Sequence, residues 1–216
     1  MTFDVPVSGL MRLAARLVLV FASAAIVSLA VLHFMQPALS PAASMISQYA
    51  IGPHGWLMNL SFASFAIGSL CLLGTLVGQP KSILQWIGLF CLMMAGVGLA
   101  FGALFNMDAA TDDPAQMSFS GRMHGLAFMI GVPGELLSVM LLSIALQRAP
   151  WNGKALIALA AAVWISVILM AVNLIGWLQA GANGPAWFGI PNRTFMMFYA
   201  LWLIAAAWPI ARPAPR

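Results

Sequence analysis

GRMHGLAFMIGVPGELLSVMLLSIALQ, residues 121–147, is apolar over a length that crosses a bilayer, yet it carries Arg122, His124 and Glu135 and is interrupted by Pro133. A membrane-spanning helix needs about 20 apolar residues, and this run supplies them only if Glu135 is accepted near its middle. On the insertion scale a charged side chain there costs about 2.5–3.5 kcal/mol. Five further stretches meet the same length: 13–34, 55–78, 84–105, 155–179 and 193–211. Backbone groups cannot go unpaired in lipid, so each stretch must be helical. Alternation with a period of two over ten-residue segments is absent, which argues against a β-barrel. The expected fold is an all-α integral membrane protein, a six-transmembrane-helix bundle forming a single domain over residues 1–216.

Composition points the same way. The chain is 62% hydrophobic and only 6% charged, against about 25% charged in a soluble domain, so it lacks the polar groups to cover a water-exposed surface. Nine basic residues outnumber five acidic ones, but they lie near span ends and form no nucleic-acid-binding patch. Seven of the nine (Arg12, Arg16, Lys81, Arg148, Lys154, Arg212 and Arg216) fall on one side, which the positive-inside rule makes cytoplasmic, with both termini inside. Arg12 and Arg16 also precede an apolar run as in a signal peptide. That run is long and no convincing small-x-small cleavage site follows it, so an uncleaved first span is expected.

Cys71 and Cys91 lie inside apolar runs, without the clustering that a zinc or iron–sulfur site requires; they read as small buried hydrophobes. No metal site and no cofactor is expected. Small-xxx-small pairs at Gly74/Gly78, Gly98/Gly102 and Gly121/Gly125 permit close helix approach. The expected outer loops, 35–54, 106–120 and 180–192, are longer than the inner turns, and longer loops are where binding residues tend to sit. In the first, Ser40 is expected to cap a short interfacial helix begun by Pro41 and closed by Gly52-Pro53.

Arg122 and Arg193 break the positive-inside pattern. Each opens a span on the expected outer side, behind expected N-caps at Ser120 and Asn192. A helix N-terminus is already partly positive, so a nearby anion is expected: Asp108, Asp112, Asp113 or an external ligand. Snorkelling to lipid headgroups is the plainer alternative. His124 and Glu135, eleven residues apart, share a helix face about 16 Å apart along the axis. Pro133 leaves the carbonyl of Met129 without its helical partner, so a protonated Glu135 or a water it holds could serve that freed backbone. An intramembrane acid is otherwise a candidate proton donor or relay.

Asp108, His124 and Glu135 are therefore the catalytic candidates, and Arg122, Arg193, Tyr49, His54, Asn59 and Asn173 the ligand-binding ones. His33, Asn106 and Asn192 fall at the same depth. Trp56, Tyr49 and Trp187 fit an interfacial aromatic belt. No nucleophile elbow, zinc-protease motif, phosphate loop or dinucleotide fingerprint occurs.

YAIGPHGWLMNLSF entering span two, Asp108 after span three, the GRMHG opening of span four, and Arg193 with Trp202 in span six resemble the prokaryotic multi-pass membrane family catalogued as domain of unknown function 998. The resemblance runs from span one to span six. It implies a six-helix membrane bundle in the cytoplasmic membrane of a prokaryote, with Tyr49, Gly52, Gly55, Trp56, Asp108, Gly121, His124 and Arg193 at family-type positions. NMDAATDDPAQMSFS is longer than the compact aspartate turn associated with the family, so either Asp108 or Asp112/Asp113 fills its acidic position.

Three functions follow as expectations. The first is binding of an amphiphilic, lipid-like molecule at a polar outer vestibule, with membrane lipids as partners. The second is an intramembrane enzyme doing acid–base chemistry on a lipid-like substrate, and the third a proton-coupled transporter.

Overall fold

The computed structural model describes residues 7–78, 82–109, 116–148, 150–182 and 186–212. Among these every regular element is helical. The helices are α1 (Gly9–Met35), α2 (Gly55–Val77), α3 (Ile83–Leu104), α4 (Phe119–Ala145), α5 (Gly153–Gln179) and α6 (Gly189–Ala211), with a 3₁₀ helix at Ile46–Ala50 between α1 and α2. All six α-helices are long and apolar enough to cross a membrane. The protein is a multi-pass membrane protein, with span limits within a few residues of those expected.

Local chemistry starts and stops these helices. Ser8 caps α1 by accepting from the Met11 amide at 3.1 Å. Ser82 and Gln85 form a reciprocal capping box on α3, which satisfies two otherwise orphaned amides. Asn152 caps α5. That helix ends in a Schellman motif: the Ala182 amide donates to the Trp177 carbonyl and the Gly181 amide to that of Leu178. Gly181 has φ 66°, the left-handed conformation this motif requires.

Two expected caps are corrected. Ser118, not Ser120, caps α4 by accepting from the Gly121 amide, because Asp108 holds Ser118 in place while the Ser120 hydroxyl donates to the Asn106 carbonyl. Asn192 lies inside the first turn of α6 rather than before it, since Gly189 lets the helix begin earlier, and its Oδ1 accepts from the Ile46 amide. The helix expected from Pro41 onward is a turn over residues 40–44 followed by the 3₁₀ helix.

The helices form a closed ring in chain order, with α6 returning to α1 and also touching α2. One end of the ring carries the 3₁₀ helix and the α3–α4 and α5–α6 connections; we call it the cap end. The tightest pair is α3–α4. A Cβ on Gly98 would stand 2.4 Å from the Gly131 Cα, and one on Gly134 2.6 Å from the Ala95 amide nitrogen. The two backbones therefore touch directly. In lipid, where no hydrophobic drive separates helix from tail, such close packing is a main source of association.

Fully buried Trp202 joins α6 to the opposite half of the ring. Its indole donates to Ser143 Oγ of α4 at 2.7 Å, and Ser143 donates to the Leu156 carbonyl of α5. Cys71 and Cys91 are both free thiols.

Of the small-xxx-small glycines, Gly98 makes the contact its spacing suggests, whereas a Cβ on Gly74 or Gly125 would meet nothing within 4 Å. Gly134→Ala should therefore lower stability by about 1–3 kcal/mol, the usual cost of overpacking. Gly74→Ala should leave the melting temperature unchanged or raised, and thermal unfolding of the two purified variants in one detergent checks the contrast.

Candidate functional site

The cap end is built from side chains that pin loops onto helices. Arg193, in the first turn of α6, donates from Nε to His33 Nε2 at 2.6 Å. Its Nη1 donates to the carbonyls of Ser44 and Gly189 at 2.7 and 2.8 Å. His33 Nδ1 lies 2.7 Å from the Leu29 carbonyl. A carbonyl can only accept, so Nδ1 carries the proton and Nε2 is left as the acceptor Arg193 needs. The guanidinium also stands 5.4 Å from the centre of the Tyr49 ring. Tyr49, fully buried, donates from its hydroxyl to the Leu39 carbonyl, and its own carbonyl accepts from Gln36. Arg193 thus clamps α1, the 3₁₀ segment and α6 together, with Nη2 buried and unpartnered.

Glycines make room for this packing. A Cβ on Gly52 would fall 2.2 Å from Gln36 Oε1, and one on Gly55 2.1 Å from the Ala50 carbonyl oxygen. On the α3–α4 side Asp108 accepts from the Ser118 amide at 2.8 Å and from its hydroxyl at 2.6 Å. A Cβ on Gly121 would overlap the Asp108 carboxylate. Arg122 is exposed, donates to the Met117 carbonyl and attracts the same carboxylate. Asp112 and Asp113 lie outside the described residues.

Beneath this cap, between α2, α3, α4 and α6, is a cavity of about 90 Å³. A water needs about 10–15 Å³ on this measure, so the cavity has room for several waters or a short stretch of hydrocarbon chain. Its walls are mainly apolar, with Phe62, Leu99, Phe128 and Phe195 among them, and Gly98, Gly102 and Gly131 provide the width.

His124 and Glu135 both line the cavity, as the shared helix face predicted. His124 Nδ1 is 2.8 Å from the Phe105 carbonyl, so Nδ1 carries a proton and Nε2 of the neutral ring is an acceptor. Glu135 is 2% exposed, and its Oε1 has no hydrogen-bond partner. Ser138 Oγ donates to the Glu135 backbone carbonyl, not to its carboxyl.

The cavity is partly open. No α5 residue lines it, and α5 meets α4 through Trp164–Leu136 and Ser143–Leu156, in the half away from the cap. Beyond Met170, α5 has no buried residue. Phe128, at the rim on α4, is 49% exposed.

The structure brings two of the three catalytic candidates, His124 and Glu135, to one cavity and leaves Asp108 at the α4 cap. Among the ligand-binding candidates, Arg193 and Tyr49 are tied into the cap, Asn173 accepts from the Trp187 amide, and Arg122 lies at the surface. His54 is half-buried at the start of α2, and Asn59 leaves Oδ1 buried and unpaired. Asn59 precedes the cavity-lining Phe62 by one turn. Asn192 and Met196 reach the cavity from α6.

A ring of six apolar helices, each long enough to cross a membrane and together enclosing a cavity, defines a multi-pass membrane protein. The model of the family described as Protein of unknown function (DUF998) matches residues 8–209, and the chain belongs to that family. No curated protein and no solved structure matches it.

The Ser118 hydrogen bonds, then the Arg122 charge, hold the Asp108 carboxyl below its ordinary value of 3.8. A depressed carboxyl stabilises the fold above its unfolded value and loses that contribution as pH falls through the folded one. Asp108→Asn should lower the melting temperature at neutral pH and flatten its fall below pH 3.8, so that variant and wild type converge in acid, as a thermal-unfolding series against pH would show.

Proposed function

We propose that the protein binds an amphiphilic, lipid-like molecule, taking part of it through a lateral opening into the cavity between α2, α3, α4 and α6. One observation carries the reading: Glu135, buried with Oε1 unpaired, lines a mainly apolar cavity at the end away from the cap. Natural cores pair their buried polar groups, and small-molecule sites combine apolar walls with a few placed polar groups. In this reading Arg193 and Tyr49 keep the cap rigid above the ligand. Arg122, His54, Asn59 and Asn173 are candidate contacts for whatever part of it projects from the mouth.

The test is occupancy. Val132 lines the cavity, and Val132→Phe should fill it. Mass spectrometry of lipids co-purifying with wild type and variant, at matched folding, should show an enriched species that falls several-fold in Val132→Phe. Equal lipid profiles would reject the proposal.

An enzyme doing acid–base chemistry is the second reading, favoured by His124 and Glu135 sharing one cavity. Their separation of about 16 Å is too long for them to act on one bond, since proton transfer needs contact at about 2.6–3.2 Å. Each would have to work alone. Product formed from a total lipid extract by wild type but not by Glu135→Gln would promote this reading. Proton-coupled transport ranks third, because the cavity leads to no chain of ionisable groups through the half away from the cap.

The setting proposed is the cytoplasmic membrane of a prokaryote with both termini inside, on the distribution of lysine and arginine. A reporter that fluoresces only in the cytoplasm, fused after Arg216, should be bright; a dark fusion with a normally folded chain would invert the topology.

A further inference from the structure

We infer that the amphiphile is a lipophilic amine or alcohol, whose N–H or O–H group donates to Glu135, and not a carboxylate or phosphate. This deepens the amphiphile reading and rests on it. Among the described residues that line the cavity there is no lysine or arginine. Arg193, one residue from the cavity-lining Asn192, turns instead to His33, Ser44 and Gly189. Arg122 lies about 200° around α4 from His124 and is exposed. An anionic group at the bottom of the cavity would therefore meet another acid and no cation.

The ionisable groups facing the cavity, an ionised Glu135 and a neutral His124, offer lone pairs. Glu135 Oε1 is buried and unpaired. The His124 bond to Phe105 leaves Nε2 an acceptor. Asn192 has committed its oxygen to the Ile46 amide, and with Ser47 it supplies neutral donors close to the cap. At the depth of Glu135 the matching ligand group is a donor. An ammonium would neutralise the carboxylate, and a hydroxyl would pair with it in either protonation state. A charge-assisted hydrogen bond of this kind is the strong sort, and it is worth most where water is scarce.

Three probes of equal chain length separate the chemistries: dodecylammonium, 1-dodecanol and dodecanoate, with binding to the full-length protein measured by native mass spectrometry at neutral pH. Expected is binding of the amine or the alcohol at least about tenfold tighter than of dodecanoate, in line with a hydrogen bond to a charged group. Which of the two binds tighter tells whether a cationic or a neutral donor is preferred. Glu135→Gln should weaken the amine by about ten- to a hundredfold and the alcohol less, since the amide oxygen still accepts.

Dodecanoate binding as tightly as the other two, or an amine affinity unchanged in Glu135→Gln, would overturn the donor assignment while leaving the amphiphile site standing, provided Val132→Phe weakens binding. If no probe binds wild type, or Val132→Phe weakens none, the amphiphile reading falls with it. Should Glu135→Gln fail to fold, the wild-type ranking of the three probes decides the matter.

Discussion

The backbone contact between α3 and α4 is the constraint on which the rest of the structure depends. With glycine at 98, 131 and 134, the two helices meet with no side chain between them. That closeness has two consequences on opposite faces of α4. On the α3 side it creates the tightest helix pair of the ring. On the neighbouring side the same glycines leave width unfilled, and Gly98, Gly102 and Gly131 become walls of the cavity. Glu135 follows Gly134 directly, so the residue that seats α4 on α3 also aims the next side chain past that contact and into the space beside it. Packing and site are set by one stretch of backbone.

The cap solves a different problem. A ring of apolar helices gains little from burying more apolar surface in lipid, so its ends are held by directed bonds. Arg193 makes three of them, to α1, to the loop before the 3₁₀ helix and to its own first turn. Asp108 orders the start of α4 through Ser118. Positions that carry the family resemblance, among them Tyr49, Gly52, Gly55, Asp108, Gly121, His124 and Arg193, gather in this layer. Most have a packing or bonding reason to be the residue they are: a ring under a guanidinium, a missing Cβ against Gln36 or Ala50, a carboxylate against a glycine. His124 alone among them both fastens the cap, through Phe105, and lines the cavity.

How much of this was legible in the sequence depends on the range of the interaction. The six spans were, because hydropathy over a window is a local property and lipid leaves the backbone no choice but helix. So was the shared face of His124 and Glu135, since helical period alone sets it. Ser118 was misjudged in favour of Ser120, because the deciding partner, Asp108, lies ten residues away across a loop. The arginines illustrate the same limit. Their off-rule placement marked them correctly as unusual, but only the fold shows that Arg193 turns toward α1, away from the cavity to which its neighbour Asn192 contributes. Phe62, Phe195 and Met196 looked like any apolar residue of a span. Their place in a cavity wall follows from how α2 and α6 are set against α4, which no pattern within one helix encodes.

Glu135 then has to be weighed against the reading that Pro133 suggested, a carboxyl serving the freed backbone of a kink. Were that its use, the carboxyl would be paired within α4. Instead Oε1 is buried without a partner, and what reaches the residue is Ser138 at its main-chain carbonyl. A helix-stabilising role would also require nothing of α2, α3 and α6. Yet those three helices stand back from Glu135 to leave a cavity. An unpaired acid costs the fold wherever it is buried, and a chain with so few charges has ample apolar alternatives at that position. On the proposed reading the cost is recovered when a molecule from the bilayer brings the donor that the protein withholds, and the lone carboxyl is then a part of the complex rather than a flaw of the empty bundle.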